Sequence, residues 1–288
     1  MPDAVAIIAP SSGPDMQYLK QSIDWIESRG YGVILGPHIE ARSGYCAGSA
    51  KQRAHDLRWA LEEADVNTVW LARGGYGLVH CLPDLLSFPA TDKTIIGSSD
   101  ATLLLELLYQ RGSGRLVHGP MVERLAYYSD EQSQNAIMAW VNGKAGEIFW
   151  RLKPGNSLAH TCQPCRAPLT GGNLTVIASL CGTVLQHKAQ GCFFLLEDVN
   201  EPLYRIDRCL QQLIFTGVFN GVKAIILGEF HACTASGQGE NDIIPKIIDI
   251  LAPLKIPIFY EGPFGHGKHN IAWPYRQNAT LSGSCMTL

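Results

Sequence analysis

Thr94-Ile95-Ile96-Gly97-Ser98-Ser99-Asp100-Ala101 is an apolar run that ends in two serines and passes directly into the helical pattern of Thr102 to Tyr109. A strand that becomes a helix within two residues is a joint of an open parallel sheet, and it holds the side chain at the bend outward. Toward the N-terminus, Ala4 to Ala9 reads as a buried strand. Met16, Leu19, Ile23 and Ile26 then recur at spacings of 3, 4 and 3, one helical stripe that Gly30 terminates. Val33 to Leu35 is the next strand, and a helix from Lys51 to Ala64, capped by Ser49, leads to the strand Asn67 to Ala72. Arg115 to His118 follows the helix after the bend. Short apolar runs alternating with helical patterns predict α/β structure, a doubly wound and mostly parallel sheet.

The alternation breaks from about Glu147 to Pro168, where Lys153-Pro154-Gly155-Asn156 and Gln163-Pro164 punctuate the chain. We therefore expect an N-terminal domain over 1–150, a crossover linker over 151–168 and a smaller C-terminal mixed α/β domain over 169–288. In the last of these, Cys192 to Leu196 and Val222 to Leu227 read as strands. Helices are expected over Pro202 to Phe215, with Leu203, Ile206, Leu210 and Leu213 on one face, and over Ile243 to Leu251. Short strands at Ile256 to Tyr260 and Ala279 to Met286 complete it.

The 288 residues are 46% hydrophobic and 17% charged, which allows sizeable cores and excludes a disordered chain. Lys and Arg total 23 against 26 Asp and Glu, a net charge of −3 with no basic block, which argues against nucleic acid and anionic membrane as partners. Met1-Pro2-Asp3 puts no positive stretch before the first apolar run. The runs at Ala4 to Ala9, Cys192 to Leu196 and Ala224 to Leu227 fall far short of the ~20 residues that span a bilayer. Nine cysteines, an odd number lying mostly in apolar segments, do not resemble a disulfide framework, so a reducing cytoplasm is expected.

Ser99 stands at the bend with Gly97 two residues before it and Ala101 two after, the small neighbours that a tight nucleophile turn requires. The bland alternative is a pair of serines capping a helix. If Ser99 is the nucleophile, the backbone N–H of Asp100 at the helix start faces the developing oxyanion. Arg73-Gly74-Gly75-Tyr76-Gly77 lets a ligand approach the backbone and offers a second N–H from Gly75; it also fits a phosphate cradle or a plain tight turn, though it lacks the GxGxxG and GK[ST] spacings. Arg73, with Gly74 and Tyr76, is the candidate substrate-binding set, Arg73 pairing with a carboxylate or else capping the sheet.

Glu197 continues from a buried strand, whereas its neighbour Asp198 reads as a solvated carboxylate and Glu201, before Pro202, as a partner of the helix dipole. Gly265-His266-Gly267 presents an imidazole between two glycines, and a nucleophilic serine needs a base of that kind. A solvated loop histidine is the alternative, and His269 stands three residues on. Ser99, Glu197, His266 is an order in which triads occur. Cys162-Gln163-Pro164-Cys165, with His160 nearby, could hold a metal, form a redox pair or have no special role; without a second closely spaced pair a four-ligand zinc site is incomplete.

Taken together these segments resemble the LD-carboxypeptidase family of serine peptidases, the muramoyltetrapeptide carboxypeptidases (the S66 peptidases), over nearly the whole chain. The resemblance is carried by Ile8-Ala9-Pro10-Ser11-Ser12, the helix around Arg53 to Glu62, Ala72-Arg73-Gly74-Gly75-Tyr76-Gly77, Gly97-Ser98-Ser99-Asp100 and His118-Gly119-Pro120-Met121. It continues in Gly171-Gly172-Asn173-Leu174, Leu196-Glu197-Asp198-Val199-Asn200-Glu201-Pro202 and Gly265-His266-Gly267, followed by Asn270 and Pro274. It implies a swivelling-type C-terminal domain, a Ser99, Glu197, His266 triad, and oxyanion donors at Asp100 and the Gly74-Gly75 turn. The family's serine commonly follows a larger residue, whereas Ser98 stands here. The implied reaction releases the terminal D-alanine of a murein tetrapeptide in cytoplasmic cell-wall recycling, with no metal or organic cofactor, in a homodimer whose site lies between the domains. A self-immunity peptidase of the same superfamily, cleaving peptidyl or aminoacyl nucleotides, would share the triad. A non-catalytic two-domain ligand binder is the alternative from another class.

Overall fold

The apolar runs of the first half form five parallel strands, β1 (Ala4–Ile8), β2 (Gly32–Leu35), β3 (Thr68–Leu71), β4 (Thr94–Gly97) and β5 (Leu116–His118), in a computed structural model that describes residues 4–62, 66–235 and 243–288. Helices α1 (Met16–Glu27), α2 (Ala50–Glu62), α3 (Leu82–Leu85), α4 (Ala101–Gln110) and α5 (Glu131–Val141) accompany them. The end expected for the second helix, at Ala64, lies outside the described residues, as does Met1-Pro2-Asp3. Capping sets the helix starts: the Asp15 carboxylate accepts from the N–H groups of Gln17 and Tyr18. Ser49 and Gln52 form a reciprocal box, the hydroxyl accepting from the Gln52 N–H at 3.3 Å and the amide oxygen from the Ser49 N–H at 2.9 Å.

The strands lie in the order β2-β1-β3-β4-β5, with the short strand Trp273–Pro274 beyond β5. The chain therefore passes to one side of β1 for β2 and crosses to the other side for β3, and the carboxyl ends of β1 and β3 border the crevice where such sheets bind ligands. Those ends continue into Ser11-Ser12 and Arg73-Gly74-Gly75. β1, β3, β4 and β5 are buried along their length, as strands covered on both faces must be, and Ile7, Trp70, Ile96 and Val117 share one core.

The second sheet contains β6 (Phe149–Arg151), β7 (Lys153–Pro154), β8 (Cys165–Asn173), β9 (Phe193–Val199), β10 (Ala224–His231), β11 (Ile258–Tyr260), β13 (Asn278–Ser282) and β14 (Cys285–Thr287), Trp273–Pro274 being β12. Its order is β6-β14-β13-β8-β9-β10-β11-β7, a parallel centre of β8 to β11 with antiparallel flanks. Helices α6 (Ser157–His160), α7 (Leu174–Ser179), α8 (Leu203–Phe215) and α9 (Ile243–Leu251) complete it. Ile206, Leu210 and Leu213 of α8 are buried, as their spacing requires. Ala279 to Met286 is a hairpin and not one strand, because Gly283 turns at φ +56° between β13 and β14.

The chain divides into one unit of residues 1–145 with 271–273, and another of 146–270 with 274–288. Residues 151–168 carry the end of β6, β7, α6 and the start of β8. Among the described residues no helix is long and apolar enough to cross a membrane, and all nine cysteines are free thiols.

Gly171 shows how closely β8 approaches the strand that carries Glu197. Its φ is +127°, and a Cβ there would run into the carbonyl oxygen of Leu195. Gly171→Ala is expected to destabilise the protein by about 3 kcal/mol or more, combining backbone strain with overpacking. Urea denaturation measures it; a change below about 1 kcal/mol would mean that the strand pair yields more readily than its geometry indicates.

Candidate active site

The bend after β4 has the geometry that its sequence predicts. Ser99 adopts φ +57°, a left-handed conformation that costs a non-glycine residue on the order of 1–3 kcal/mol. The helix restarts at once, with Ala101 N–H donating to the Ser98 carbonyl at 3.0 Å and Thr102 N–H to the Ser99 carbonyl at 2.9 Å. Gly97 is required here, since a Cβ would lie 2.7 Å from that of Ala101. Ser98 is buried and Ser99 is not fully so, which favours Ser99 as the reactive hydroxyl.

The glycine turn meets this serine directly. A Cβ on Gly74 would lie 2.8 Å from Ser99 Cβ and 2.9 Å from its Oγ, so only glycine allows the approach. The turn is fixed from β1: Ser12 N–H donates to the Gly74 carbonyl at 3.1 Å, and the Ser12 hydroxyl accepts from Tyr76 N–H at 3.2 Å. Gly75, at φ +92°, faces the same Ser12 side chain. Tyr76 is half exposed, its hydroxyl 3.4 Å from His80 Nε2. Arg73 bonds through Nη1 to the Gly13 carbonyl and to Glu123 Oε1, each at 3.3 Å. Burial pushes the Glu123 carboxyl up, and Arg73 opposes that shift.

Two buried side chains bind these loops together. The Asp100 carboxylate accepts from Ser11 Oγ at 2.6 Å and from Leu78 N–H at 2.9 Å through the same oxygen, so the residue after the serine holds both the end of β1 and the far side of the glycine turn. Burial raises its pKa, against those hydrogen bonds and the nearby Arg53. Arg53, only 2% exposed, donates to the carbonyls of Pro10 and Gly77, each at 3.0 Å, and to that of Gly48. Residue-level reading assigned no role to Arg53, Ser11 or the Asp100 side chain. For Arg53 the available signal was a charged residue among the apolar positions of the buried face of α2, which Asp56 shares.

In the other unit, Glu197 lies inside β9, fully buried between β8 and β10, and its Oε2 is 2.6 Å from His266 Nδ1. This contact assigns the imidazole proton to Nδ1 and leaves Nε2 as the basic nitrogen. The flanking glycines have a steric reason: a Cβ on Gly265 would lie 2.9 Å from Glu229 Cβ, and one on Gly267 would enter the Glu229 carboxylate. Asp198 is not a solvated carboxylate. It is 2% exposed and accepts from Asn173 Nδ2 at 2.9 Å, Thr175 N–H at 3.0 Å, Thr175 Oγ1 at 2.7 Å and Val199 N–H at 2.8 Å.

Burial, then the charge of Glu197, raises the Asp198 pKa from 3.8 to about 6 despite those bonds. A raised folded-state value gives stability that is complete below 3.8 and is lost as pH rises through about 6. The share at stake is on the order of 3 kcal/mol. A carboxyl carbon titration by NMR is expected to show a midpoint near 6, with this share of the urea unfolding free energy declining over the same range; a midpoint at the unperturbed value would refute it.

Cys162 has its pKa raised by burial and by the neighbouring Cys165 thiol, and His160 joins no three-ligand cluster with them among the described residues.

Both units match known families. Residues 5–119 match the family model described as the LD-carboxypeptidase N-terminal domain, and residues 166–281 that of the LD-carboxypeptidase C-terminal domain. The chain is 34% identical to the murein tetrapeptide carboxypeptidase of Pseudomonas aeruginosa, covering 97% of this chain and 93% of that protein. Among solved structures it is similar to the muramoyltetrapeptide carboxypeptidase of Oxalobacter formigenes, with a TM-score of 0.83, 26% identity, and coverage of 99% and 97%. A microcin C7 self immunity protein in complex with aspartyl sulfamoyl adenosine shares the fold at a TM-score of 0.81 and 17% identity, with coverage of 99% and 95%.

Proposed function

The chain belongs to the LD-carboxypeptidase family of serine peptidases, and from that premise we propose that it releases the terminal D-alanine of a murein tetrapeptide. Ser99 Oγ attacks the amide carbonyl while His266 Nε2 takes its proton, and Glu197 holds the imidazole tautomer and stabilises the cation. The N–H groups of Asp100 and Gly75 receive the oxyanion. His266 then protonates the departing D-alanine amine and activates the water that hydrolyses the acyl-enzyme. Two separate observations support this reading: a left-handed serine at a strand-to-helix bend in one unit and, in the other, a histidine whose Nδ1 faces a fully buried glutamate. The reading includes a homodimer, a cytoplasmic role in cell-wall recycling, and no cofactor.

Arg73, held on one side by Glu123, directs its remaining N–H donors to the substrate's C-terminal carboxylate, with Gly74 and Tyr76 beside it. Arg73→Ala is expected to lower kcat/KM by about 10-fold or more, chiefly through KM, as loss of a charge-assisted contact does. An effect within a factor of two would remove Arg73 from substrate binding.

The deciding experiment incubates the protein with a murein tetrapeptide ending in D-alanine, and in parallel with an aminoacyl sulfamoyl nucleoside, following both products by mass. D-Alanine release supports the murein assignment. Cleavage of the nucleoside conjugate alone would favour the self-immunity reading, to which the shared fold also lends itself. Failure of a serine-directed phosphonate to label the folded protein would favour a non-catalytic binder.

A further inference from the structure

Two imidazoles of the N-terminal unit that the proposed reaction does not use converge on one carboxylate oxygen. Asp56 lies on α2 and is 2% exposed; His55 precedes it on that helix, and His38 stands on the turn after β2. His38 Nδ1 is 2.6 Å and His55 Nδ1 3.5 Å from Asp56 Oδ1, and the three donor atoms lie within 4.8 Å of one another. The two rings meet edge to face, with centroids 5.3 Å apart. Among the described residues this is the one such group of three His, Cys, Asp or Glu side chains.

We propose that His38, His55 and Asp56 form a binding site for a divalent transition metal ion of the zinc type. Two imidazoles and one carboxylate are a donor set for such ions, with solvent at the remaining position. On binding, the ion would displace to solvent the proton that His38 Nδ1 shares with Asp56 Oδ1, so that each ring keeps a proton on Nε2 and presents Nδ1 to the ion. The orientation of the carboxylate is already set: Asp56 Oδ2 accepts from the His38 backbone N–H at 2.8 Å, which leaves Oδ1 toward both rings, the outer-shell arrangement that metal ligands need. Ligand bonds of about 2.0–2.1 Å place tetrahedral donors about 3.3 Å apart. The His55 to Asp56 separation matches this, and the partly exposed His38 ring widens its own by a small side-chain rotation. His55, with 58% of its side chain exposed, gives the ion its route of entry.

The bound ion would tie the turn after β2 to α2, the helix whose Arg53 holds the carbonyls of Pro10, Gly48 and Gly77. Occupancy is therefore read in stability, without any assay of catalysis. A trio that served only to hydrogen-bond a turn in place would bind no ion.

The test titrates the protein with Co²⁺, followed by visible absorption, and with Zn²⁺, followed by calorimetry and thermal unfolding. One equivalent is expected to bind, with d–d bands but without thiolate charge-transfer absorption, and the melting temperature should rise with free metal. His55→Ala, an exposed change that leaves the fold intact, is expected to weaken binding by at least about 10- to 100-fold, the range that even an outer-shell loss produces. His38→Ala should act likewise, and the double variant Cys162→Ser with Cys165→Ser should bind as the parent does. Absence of saturable binding at one equivalent, binding that survives His55→Ala, or bands lost in the cysteine variant would overturn the proposal.

Discussion

Ser99→Ala is expected to lower kcat/KM for D-alanine release by about 10⁴-fold, the scale on which a nucleophile acting as one unit with its base is lost. The loss should fall on kcat, because Asp100, Gly74 and Arg73 remain to bind the peptide. The variant should stay folded: alanine tolerates the bend as well as serine does, and its methyl group fits where Ser99 Cβ already faces Gly74. Ser98→Ala is the informative partner. Ser98 is buried beneath the turn, so its loss is expected to cost less than about 10-fold in activity. Single-turnover measurement of D-alanine release checks both, and a reversal of the two effects would assign the nucleophile to Ser98.

Glu197→Gln is expected to lower kcat by about 10⁴-fold with the fold preserved, the effect that a wrong histidine tautomer produces. Glutamine has nearly the same volume inside β9, and it removes a buried charge instead of stranding one. Its amide can turn an N–H toward His266 Nδ1 at the position where Oε2 now lies 2.6 Å away. The imidazole then carries its proton on Nε2 and cannot accept one from serine. Circular dichroism should be unchanged while the imidazole ¹⁵N shifts report the exchanged tautomer. Activity within tenfold of the parent would show that Glu197 is not the partner on which the base depends.

Local sequence was sufficient wherever one segment decides its own conformation. The run from Thr94 through Tyr109 specifies a strand, a left-handed serine and a helix, because Gly97 lacks the Cβ that would meet that of Ala101, four residues on. The stripe on α8 and the limits of α9 were legible for the same reason, a periodicity that needs no distant partner. Where conformation depended on one residue's freedom, the longer pattern misled: alternating residues from Ala279 to Met286 resemble one strand until Gly283 reverses it. β8 was not legible, since Gly171-Gly172 has no strand propensity of its own and pairs only because β9 lies beside it, as β13 does beside Cys165 to Pro168.

The sequence by itself determined the elements that local periodicity and turn chemistry specify, the candidate serine, glutamate and histidine, and the family whose motifs they complete. Only the tertiary structure decided what surrounds them. Asp198 reads as solvated because its charge is local information, yet four donors from β8, α7 and its own strand enclose it. Arg53 and Asp100 bind three loops that are far apart in the chain, and His38 meets His55 and Asp56 across 17 and 18 residues. Periodicity and turn chemistry are properties of neighbours along the chain, whereas desolvation, hydrogen-bond partnership and ligand geometry belong to groups that meet only when the sheet has formed.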